Sequence, residues 1–442
     1  MASGVLPEVS FQLNTKRFLE QSFCCAKAIS AVGEHVCRER WMNLLECLSY
    51  PPAYTVLRVN TLLHTKSSIR QQICDVLQQQ YRMIERLPPE VCEDEILDDV
   101  LVIRPSNLNI ASMTPATKEV IVDLQCGLAV LRGADIYAPG VMAAAPDMVK
   151  DDQVSVYVDV DGTCRRGLIR VFDGNKVFVG NGTVYMSRKE LFAGAQHPRG
   201  VAVKMVSPLF DCPSLNGVMT DRIFLQNLPS IVVGHVVNPQ PGSRVLDMCA
   251  APGGKTTHLA CLMKDEGIII ALDKSPSKIT KVEKLAQTLS VSCIKAYVFD
   301  STKACCKDLK ISSHTEIAEP PYPPESFDYI LLDAPCSGLG QRPQICNQLH
   351  LNEIKSYPAY QRKFMTTAVE LLRPGGTLVY STCTITLGEN EEIVEWAINT
   401  YPQLKLSQQV PHIGGVGLEG TSLDSTQLAQ LQRFPSSFSF LF

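Results

Sequence analysis

The feature that most constrains the fold is a series of short apolar runs that alternates with helical patterns from Leu225 onward. Each run has the length of a buried strand, and the segments between them have the apolar spacing of helices. The predicted strands are 243–246, 267–272, 294–298, 329–332 and 377–380. The predicted helices are 256–264, 276–289, 361–371 and 389–399. Such βαβ alternation indicates an α/β fold with a mostly parallel, doubly wound sheet.

Reactive side chains follow two of these runs. Asp333 and Cys336 come directly after one predicted strand, and Cys383 comes after the last one. In open α/β sheets, ligands bind at the carboxyl ends of the strands. A buried free cysteine is usually only a small apolar residue. Two thiols at neighbouring strand ends, one of them beside an acid, nevertheless favour group transfer with a cysteine nucleophile.

A glycine turn follows the first predicted strand, with the sequence Asp-Met-Cys-Ala-Ala-Pro-Gly-Gly-Lys at residues 247–255. Paired glycines allow a ligand to approach the backbone, and the helix start offers N–H groups to an anion. A plain β-to-α turn is the alternative, and the spacing is not that of a Walker loop. Asp273 and Asp300 follow the next two strands, where we expect contacts with ribose and adenine. Each acid alone would more often be a capping residue.

The first part of the chain combines helices with a few strands. Apolar periodicity predicts helices from residue 10 to about 50, and Pro51 and Pro52 end them. Further along, the pattern predicts a strand at 55–61, a helix at 67–81 and a strand near 99–103.

Residues 118–206 have a different sequence pattern, in which short runs of β-forming residues are separated by glycines. The runs lie at 130–141, 153–158, 167–171 and 176–180, and their spacing predicts a small barrel. Eleven Lys and Arg balance ten Asp and Glu here, so charge alone does not predict nucleic-acid binding. The stretch nevertheless resembles a PUA domain, a small RNA-binding barrel. The resemblance rests on Ala-Val-Leu-Arg-Gly-Ala at 129–134, Tyr-Ala-Pro-Gly-Val at 137–141 and the acidic turn at 151–154. A structural module without an RNA role is the alternative.

Composition gives the remaining expectations. The formal net charge is −4, which is not the signature of a protein that coats nucleic acid. The 17 cysteines are scattered and no secretory signal is apparent at the start, which favours reduced thiols and a cytoplasmic protein. We interpret the pairs Cys24-Cys25 and Cys305-Cys306 as structural and predict no metal site. No window reaches the roughly 18 apolar residues of a membrane helix, and a monomer is the simplest prediction.

Several motifs together resemble the Sun-domain RNA cytosine-5 methyltransferases (the NSUN and Fmu-like family). They are the 247–255 loop, Asp-Ala-Pro-Cys-Ser-Gly at 333–338, and Ser-Thr-Cys-Thr at 381–384 followed by Glu-Asn-Glu at 389–391. Two upstream segments also match: Arg-Val-Asn-Thr at 58–61 and Leu-Gln-Asn-Leu-Pro-Ser at 225–230. The resemblance covers almost the whole chain, and the PUA-like insertion is similar to the PUA-bearing NSUN branch.

The resemblance implies a class I (Rossmann-like) methyltransferase sheet, an inserted PUA barrel and an amino-terminal helical and RRM-like subdomain. The corresponding domains would be 1–110, 111–204 and 205–442. The RRM-like subdomain would be split around the insertion, with strands from 55–61 and 201–206.

The resemblance also assigns roles at the site. S-adenosylmethionine would lie on the loop and on three acids: Cys249, Ala250, Ala251, Pro252, Gly253, Gly254, Lys255, Asp273, Asp300 and Asp333. Cys383 would attack carbon 6 of cytosine, and Cys336 would assist release of the product. Asp333 would also contact the cytosine, and Lys255 would help to orient Asp333 and the base.

The implied substrate is RNA with a flipped or unstacked cytosine, first the acceptor end of tRNA and second messenger RNA hairpins. The family's final glycine- and phenylalanine-rich strand has no counterpart after Arg433, although Phe438, Phe440 and Phe442 alternate as in a short strand. An uncovered sheet edge would lower stability or activity. An RNA-binding protein with impaired catalysis is therefore the alternative to the enzyme, and DNA methylation is a weaker one.

Overall fold

The fold is described here from a computed structural model that covers residues 6–105, 113–194, 198–309 and 319–434. The alternating residues Phe438, Phe440 and Phe442 lie outside these ranges, as do the first three residues of 316–326, a proline-rich, acidic segment that the sequence predicts to be a surface loop.

The amino-terminal part contains helices followed by a small sheet. Its elements are β1 (Ser10–Phe11), α1 (Leu13–Phe23), α2 (Ala26–Val32), α3 (Glu34–Ser49), β2 (Thr55–Val59), α4 (Lys66–Arg82), β3 (Glu90–Glu93) and β4 (Val100–Arg104). The first helices bury Leu19, Trp41 and Leu45 against Leu339 and Ile385 from the last third of the chain. The amino terminus thus packs directly beside the segments that carry the two predicted thiols.

The middle part is rich in β-structure. It contains β5 (Lys118–Val122), α5 (Leu124–Leu131), β6 (Ile136–Tyr137), β7 (Val141–Ala144), β8 (Gln153–Asp159), β9 (Lys176–Val184), α6 (Arg188–Phe192) and β10 (Val201–Pro208). These strands form one sheet in the order β6-β10-β9-β8-β5-β7. The two outer strands, β6 and β7, are joined by the short turn Ala138–Gly140, so the sheet curls until its edges approach each other.

Of the predicted β runs in this part, 167–171 is wrong, and 130–141 is only partly right because its first residues are helical while β6 and the start of β7 follow. Val130 and Leu131 end helix α5, whose first turn is capped by the Asp123 carboxylate at 2.7 Å from the Cys126 N–H. Residues 167–171 form no strand, only a single bridge from Leu168 to Ala143. The apolar side chains of this segment therefore do not belong to a strand of the sheet, and Ile169 is 72% exposed.

The carboxyl-terminal part alternates strands and helices as predicted. It contains β11 (Ile223–Leu225), α7 (Leu228–Val237), β12 (Arg244–Asp247), α8 (Gly254–Leu262), β13 (Ile268–Asp273), α9 (Pro276–Thr288), β14 (Ile294–Val298), β15 (Phe327–Asp333), β16 (Cys346–Asn347), α10 (Leu351–Leu371), β17 (Leu372–Ser381), α11 (Glu391–Thr400) and α12 (Ser425–Ala429). Five strands form a parallel sheet in the order β14-β13-β12-β15-β17. The strand order reverses at β12, because β13 and β14 lie on one side of it and β15 and β17 lie on the other. Ligands of such sheets bind at this switch point.

Both faces of the parallel sheet are covered. Helices α7 and α8 bury Val237, Leu259 and Met263 on one face. Helices α10 and α11 bury Phe364 and Ile393 on the other. Strand β17 hydrogen-bonds to β15 on one side and to no other strand among the described residues.

The small amino-terminal sheet receives one of its four strands from a distant part of the sequence. Its order is β11-β2-β4-β3, all antiparallel, with α4 packed on one face. The prediction that 201–206 supplies the returning strand is wrong. Those residues form β10, which pairs with β6 and β9, and β11 takes the place beside β2. Both segments have alternating apolar residues, so the pattern alone could not assign either to a sheet.

Several helical segments were not predicted, among them α7 and the first half of α10. Helix α7 is apolar on nearly all sides and contains four valines and one isoleucine, which by pattern favour a strand. It is helical because it lies between α8 and the sheet. Helix α10 begins ten residues before the predicted start and contains Pro358 in its interior. No helix among the described residues is both long and apolar enough to cross a membrane.

The Val-Leu-Arg-Gly-Ala motif of the middle part makes a testable packing contact. Gly133 has φ +91°, and a Cβ placed on it would lie 2.4 Å from the carbonyl oxygen of Cys212. We expect Gly133→Ala to destabilise the protein by about 2 kcal/mol or more, since backbone strain adds to a clash with main chain. Gly162, with φ +68° and open space around it, is the matched control and should lose about 1 kcal/mol. Equal losses in urea unfolding of the two variants would contradict this prediction.

Candidate active site

The loop after β12 is supported by a buried carboxylate. Asp247 is 1% exposed and accepts hydrogen bonds from the Thr256 hydroxyl at 2.8 Å and the Cys249 N–H at 3.2 Å. Burial raises the pKa of Asp247 to about 7. These contacts tie the two ends of the glycine turn together. Gly253, with φ +109°, is the N-cap of helix α8, and the N–H groups of the first turn have no carbonyl partner within the helix.

The two acids predicted to bind a nucleoside also lie at this edge. Asp273 ends β13, and its carboxylate accepts from the Ser275 N–H at 3.0 Å. Asp300 follows β14, and one of its oxygens, Oδ1, accepts from the N–H and hydroxyl of Thr302 at 3.1 and 2.7 Å. Asp300 therefore has the capping role that was the alternative interpretation, whereas Asp273 stabilises the turn before α9. Carboxylate oxygens have further lone pairs, so capping leaves room for ligand hydroxyl or amino groups.

Asp333 is held from two sides. Its Oδ2 accepts from the Lys255 ammonium at 2.8 Å, and its Oδ1 accepts from the Ser381 hydroxyl at 2.7 Å. Asp333 and Ser381 are directly opposite one another in the parallel pairing of β15 with β17. The sheet register therefore fixes the carboxylate, and the side chain is still 32% exposed.

The two predicted thiols are in direct contact. The Sγ atoms of Cys336 and Cys383 are 3.4 Å apart. The Gln341 amide also donates to the Cys383 sulfur at 3.4 Å. Gly340 lies against the same loop, where a Cβ would come within 3.0 Å of the Cys383 carbonyl oxygen.

These contacts make the two thiols unequal. The hydrogen bond from Cys336 is the main reason that the pKa of Cys383 is lowered to about 7, and the Gln341 amide and Lys255 charge act in the same direction against burial. The same hydrogen bond, with burial, raises the pKa of Cys336 far above the ordinary range. Cys383 is therefore the thiol with substantial thiolate character at neutral pH, as a nucleophile requires.

A buried glutamate holds the two cysteine loops together. Glu389 is 1% exposed and accepts from the Ser337 N–H at 2.9 Å, the Ser337 hydroxyl at 2.6 Å and the Thr386 hydroxyl at 2.9 Å. The Gln361 amide of α10 donates to it at 3.1 Å and also to the Pro335 carbonyl at 3.0 Å. Ser337 follows Cys336, and Thr386 belongs to the loop of Cys383. One carboxylate thus fixes the separation of the thiols.

Asn390 continues this connection. Its side chain accepts from the Thr382 hydroxyl at 2.6 Å and donates to the carbonyls of Thr384 and Thr386 at 3.2 and 2.7 Å. The Cys383 backbone is therefore braced on both sides. Glu389 and Asn390 both belong to the Glu-Asn-Glu motif noted in the sequence. No role could be predicted for them, because their hydrogen-bond partners come from three separate segments.

The structure brings the predicted residues into two neighbouring groups. Lys255, Asp333, Cys336 and Cys383 form one connected set. Asp273 and Asp300 lie on the other side of β12, and the glycine loop lies between the two groups. Consistent with this position, burial raises the pKa of Cys249 well above its usual range, assisted by the charges of the acids around it. The site opens into a groove of about 1650 Å³ that Lys255, Asp333 and Cys383 help to line.

Comparisons with known proteins agree with this geometry. A family profile described as "16S rRNA methyltransferase RsmB/F" matches residues 234–436. The human tRNA (cytosine(72)-C(5))-methyltransferase NSUN6 is 46% identical over 434 residues, which cover 98% of this chain and 91% of that protein. The tRNA (cytosine(72)-C(5))-methyltransferase of Pyrococcus horikoshii is 35% identical over 307 residues, 69% of this chain and 70% of that one.

This chain belongs to the NSUN-type RNA cytosine-5 methyltransferases. The crystal structure of NSun6 from Pyrococcus horikoshii with SFG has a TM-score of 0.75 at 28% identity and covers 97% of this chain and 95% of that one. It supports the α/β fold with a Rossmann-like methyltransferase sheet. NSUN-type enzymes take the methyl group from S-adenosylmethionine, of which SFG is an analogue.

The acidity of Cys383 can be measured directly. We expect its alkylation by iodoacetamide to rise with pH with a midpoint near 7, because only the thiolate reacts. Cys336→Ala removes the hydrogen bond that lowers the pKa most, so the midpoint should rise. Peptide mass spectrometry after timed labelling measures both values. An unchanged midpoint in Cys336→Ala would contradict the proposed origin of the acidity.

Glu389 can be tested as the residue that sets the thiol geometry. Glu389→Gln replaces an acceptor by an amide donor that faces Ser337 or Gln361. We expect methyl transfer to fall about tenfold or more, since one buried hydrogen bond left unmade costs about 1–3 kcal/mol. Glu392→Gln, at an exposed position three residues further along, in the first turn of α11, is the matched control. Wild-type rates for Glu389→Gln would rule out this role.

Proposed function

We propose that this protein methylates carbon 5 of a cytosine in tRNA, near the acceptor end, by transient covalent attachment of the base to Cys383. The observation that carries the proposal is the connected set of an ion-paired Asp333 and a lowered-pKa Cys383 beside a second thiol. The names of the human and archaeal relatives, which specify cytosine 72 of tRNA, support the choice of substrate. Messenger RNA hairpins are a second substrate class for the same chemistry.

The residues present fit S-adenosylmethionine. The start of α8 and the turn Cys249, Ala250, Ala251, Pro252, Gly253, Gly254 and Lys255 offer backbone N–H groups suited to an amino-acid carboxylate. Asp273 and Asp300 would accept from ribose hydroxyls and the adenine amino group, and Asp333 would line the site. When bound, this molecule supplies an electrophilic methyl group.

The chain's own residues would activate the base. The Cys383 thiolate adds to carbon 6 of cytosine, and the displaced electron pair makes carbon 5 nucleophilic toward the methyl group. After methylation, loss of the proton at carbon 5 lets the carbon–sulfur bond break and restores the aromatic ring. Cys336, 3.4 Å from the attacking sulfur, is placed to assist this elimination.

Asp333 and Lys255 would orient the base. Asp333 keeps free lone pairs beyond its bonds to Lys255 and Ser381, so it can accept a hydrogen bond from the exocyclic amino group of cytosine, and from ring nitrogen 3 once that atom is protonated. Lys255 holds that carboxylate in place and adds positive charge beside the thiolate. The cytosine must leave its stack to reach the site, which an unpaired or frayed acceptor end makes less costly.

We also propose the three domains expected from the sequence: 1–110, a PUA domain and a methyltransferase domain. The predicted boundary between 204 and 205 falls within β10, whose pairing with β9 continues to Pro208, so we place the PUA domain at 111–208 and the methyltransferase domain at 209–442. The curled six-stranded sheet and its two outer strands support the PUA assignment. The antiparallel sheet of β2, β3 and β4 with α4 supports an RRM-like unit, to which β11 contributes from beyond the insertion. A monomer in the cytoplasm completes the proposal.

Trapping of the RNA adduct tests this function. We expect Cys336→Ala, incubated with a tRNA transcript and S-adenosylmethionine, to form a protein–RNA band that survives denaturation, because elimination is impaired after Cys383 has attacked. The band should vanish in the double variant that also carries Cys383→Ala. If the single variant binds tRNA without trapping it, the non-catalytic RNA-binding alternative is favoured instead.

A further inference from the structure

One buried carboxylate outside the thiol site connects the amino-terminal sheet with the methyltransferase helices. Asp99 immediately precedes β4 and is 4% exposed. Its Oδ1 accepts from Nε2 of His235 on α7 at 2.8 Å, and its Oδ2 accepts from Nε2 of His258 on α8 at 2.7 Å. The two imidazole rings are in edge contact, with centroids 5.0 Å apart.

The cluster has the composition of a metal site but the distances of hydrogen bonds. Three ligand atoms lie within 4.8 Å of each other. Ligands on a tetrahedral zinc ion, at about 2.0–2.1 Å from the metal, are separated by roughly 3.3 Å. The nitrogen–oxygen distances here are shorter, so each imidazole donates a proton to one carboxylate oxygen.

The His258 contact lies on the face of α8 that is turned to the small sheet. Thr257, His258 and Cys261 are almost completely buried there. The Arg58 guanidinium of β2 donates to the Thr257 hydroxyl at 3.0 Å and contacts the Cys261 sulfur at 4.0 Å. The charged groups that face His258 are thus Arg58 and Asp99, with His235 beside it.

Burial lowers the pKa of His258 to about 4, against the opposite effect of Asp99, which keeps the imidazole neutral at physiological pH. With Nε2 as the donor, Nδ1 carries no proton, and it has no hydrogen-bond partner beside Gly234. The other tautomer would place a proton on this unpartnered atom. The Asp99 carboxylate therefore specifies both the ring position and the tautomer.

The position of α8 matters because the helix begins where the cofactor loop ends. Gly254 is its first residue and Lys255, the partner of Asp333, its second. The face bound by Asp99 is only one turn further along. A shift of the helix moves the loop N–H groups and Lys255 together.

We propose that Asp99 is a positioning residue for cofactor binding: through His258 it anchors α8 to the amino-terminal sheet and so holds the S-adenosylmethionine loop in its binding geometry. The inference rests on the proposed function, since that loop is taken as the cofactor site. Asn60 provides a parallel link, because its amide donates to the Leu289 carbonyl at 3.0 Å, directly after α9. The small sheet is then a support for the cofactor site as well as part of the amino-terminal domain.

Asp99→Asn tests the proposal, because a carboxamide cannot accept from both imidazoles. We expect the Kd for sinefungin, an analogue of S-adenosylmethionine, to rise about tenfold when it is measured by calorimetry on the full chain. KM for S-adenosylmethionine should rise similarly while kcat at saturation changes less than twofold. His235→Asn is the matched control: it removes the other imidazole bound by Asp99 but leaves the hydrogen bond between Asp99 and His258 of α8 in place, and its Kd should stay within twofold of wild type. Wild-type affinity in Asp99→Asn, or equal losses in both variants, would overturn the proposal.

A second pair covers the case in which Asp99→Asn does not fold. His258→Gln keeps a donor near the Nε2 position and should bind sinefungin within threefold of wild type. His258→Leu removes the donor and should lose tenfold or more, and equal affinities of the pair would overturn the proposal. If the wild-type chain itself fails to bind sinefungin, the proposed function fails, which these variant comparisons distinguish from failure of the Asp99 role.

Discussion

The register of the parallel sheet is the constraint on which the site depends. Hydrogen bonding of β15 to β17 sets Asp333 opposite Ser381, and the pairing of β12 with β15 brings the end of the glycine-loop strand to the same edge. A shift of one residue would turn every side chain to the other face of its strand, because side chains alternate along a strand. The carboxylate would then leave Lys255, and the thiol loops would start from different positions. The hydrogen-bonded pairing of the parallel strands thus fixes both the geometry of the candidate site and the packing of the core.

Buried carboxylates connect this sheet with the segments around it. Asp247 joins the two ends of the cofactor loop, Glu389 joins the two thiol loops, and Asp99 joins two helices to the small sheet. A buried carboxylate is costly unless its oxygens accept hydrogen bonds from well-placed donors. Each therefore stabilises one arrangement of its donors over others. In this way polar groups determine where loops lie, while the apolar layers on either side of the sheet provide most of the driving force for folding.

The fold also shows how a chain can insert one module within another. The small antiparallel sheet is interrupted after β4 and regains its fourth strand only at β11. The β-rich insertion buries an apolar core that includes Val120, Val156 and Val203, and Leu6, Tyr50 and Ile345 from outside the insertion pack into the same core. The amino-terminal helices pack against Leu339 and Ile385, which follow Cys336 and Cys383 closely in the sequence. The site is therefore enclosed by parts of the chain that are more than 280 residues apart.

The sequence by itself determined the elements whose signals are local. The five parallel strands, most of their crossover helices, the glycine turn and the reactive residues at strand ends all follow from apolar periodicity and turn chemistry within short windows. The family resemblance added roles for those residues.

Tertiary structure decided what depends on distant partners: α7 is a helix because it is buried against α8 and the sheet, and β11 rather than β10 pairs with β2. It also decided the contact between the Cys336 and Cys383 sulfurs, and the roles of Glu389 and Asp99. Their hydrogen-bond donors come from separate segments, and the free energy of these contacts exists only when the segments are packed together.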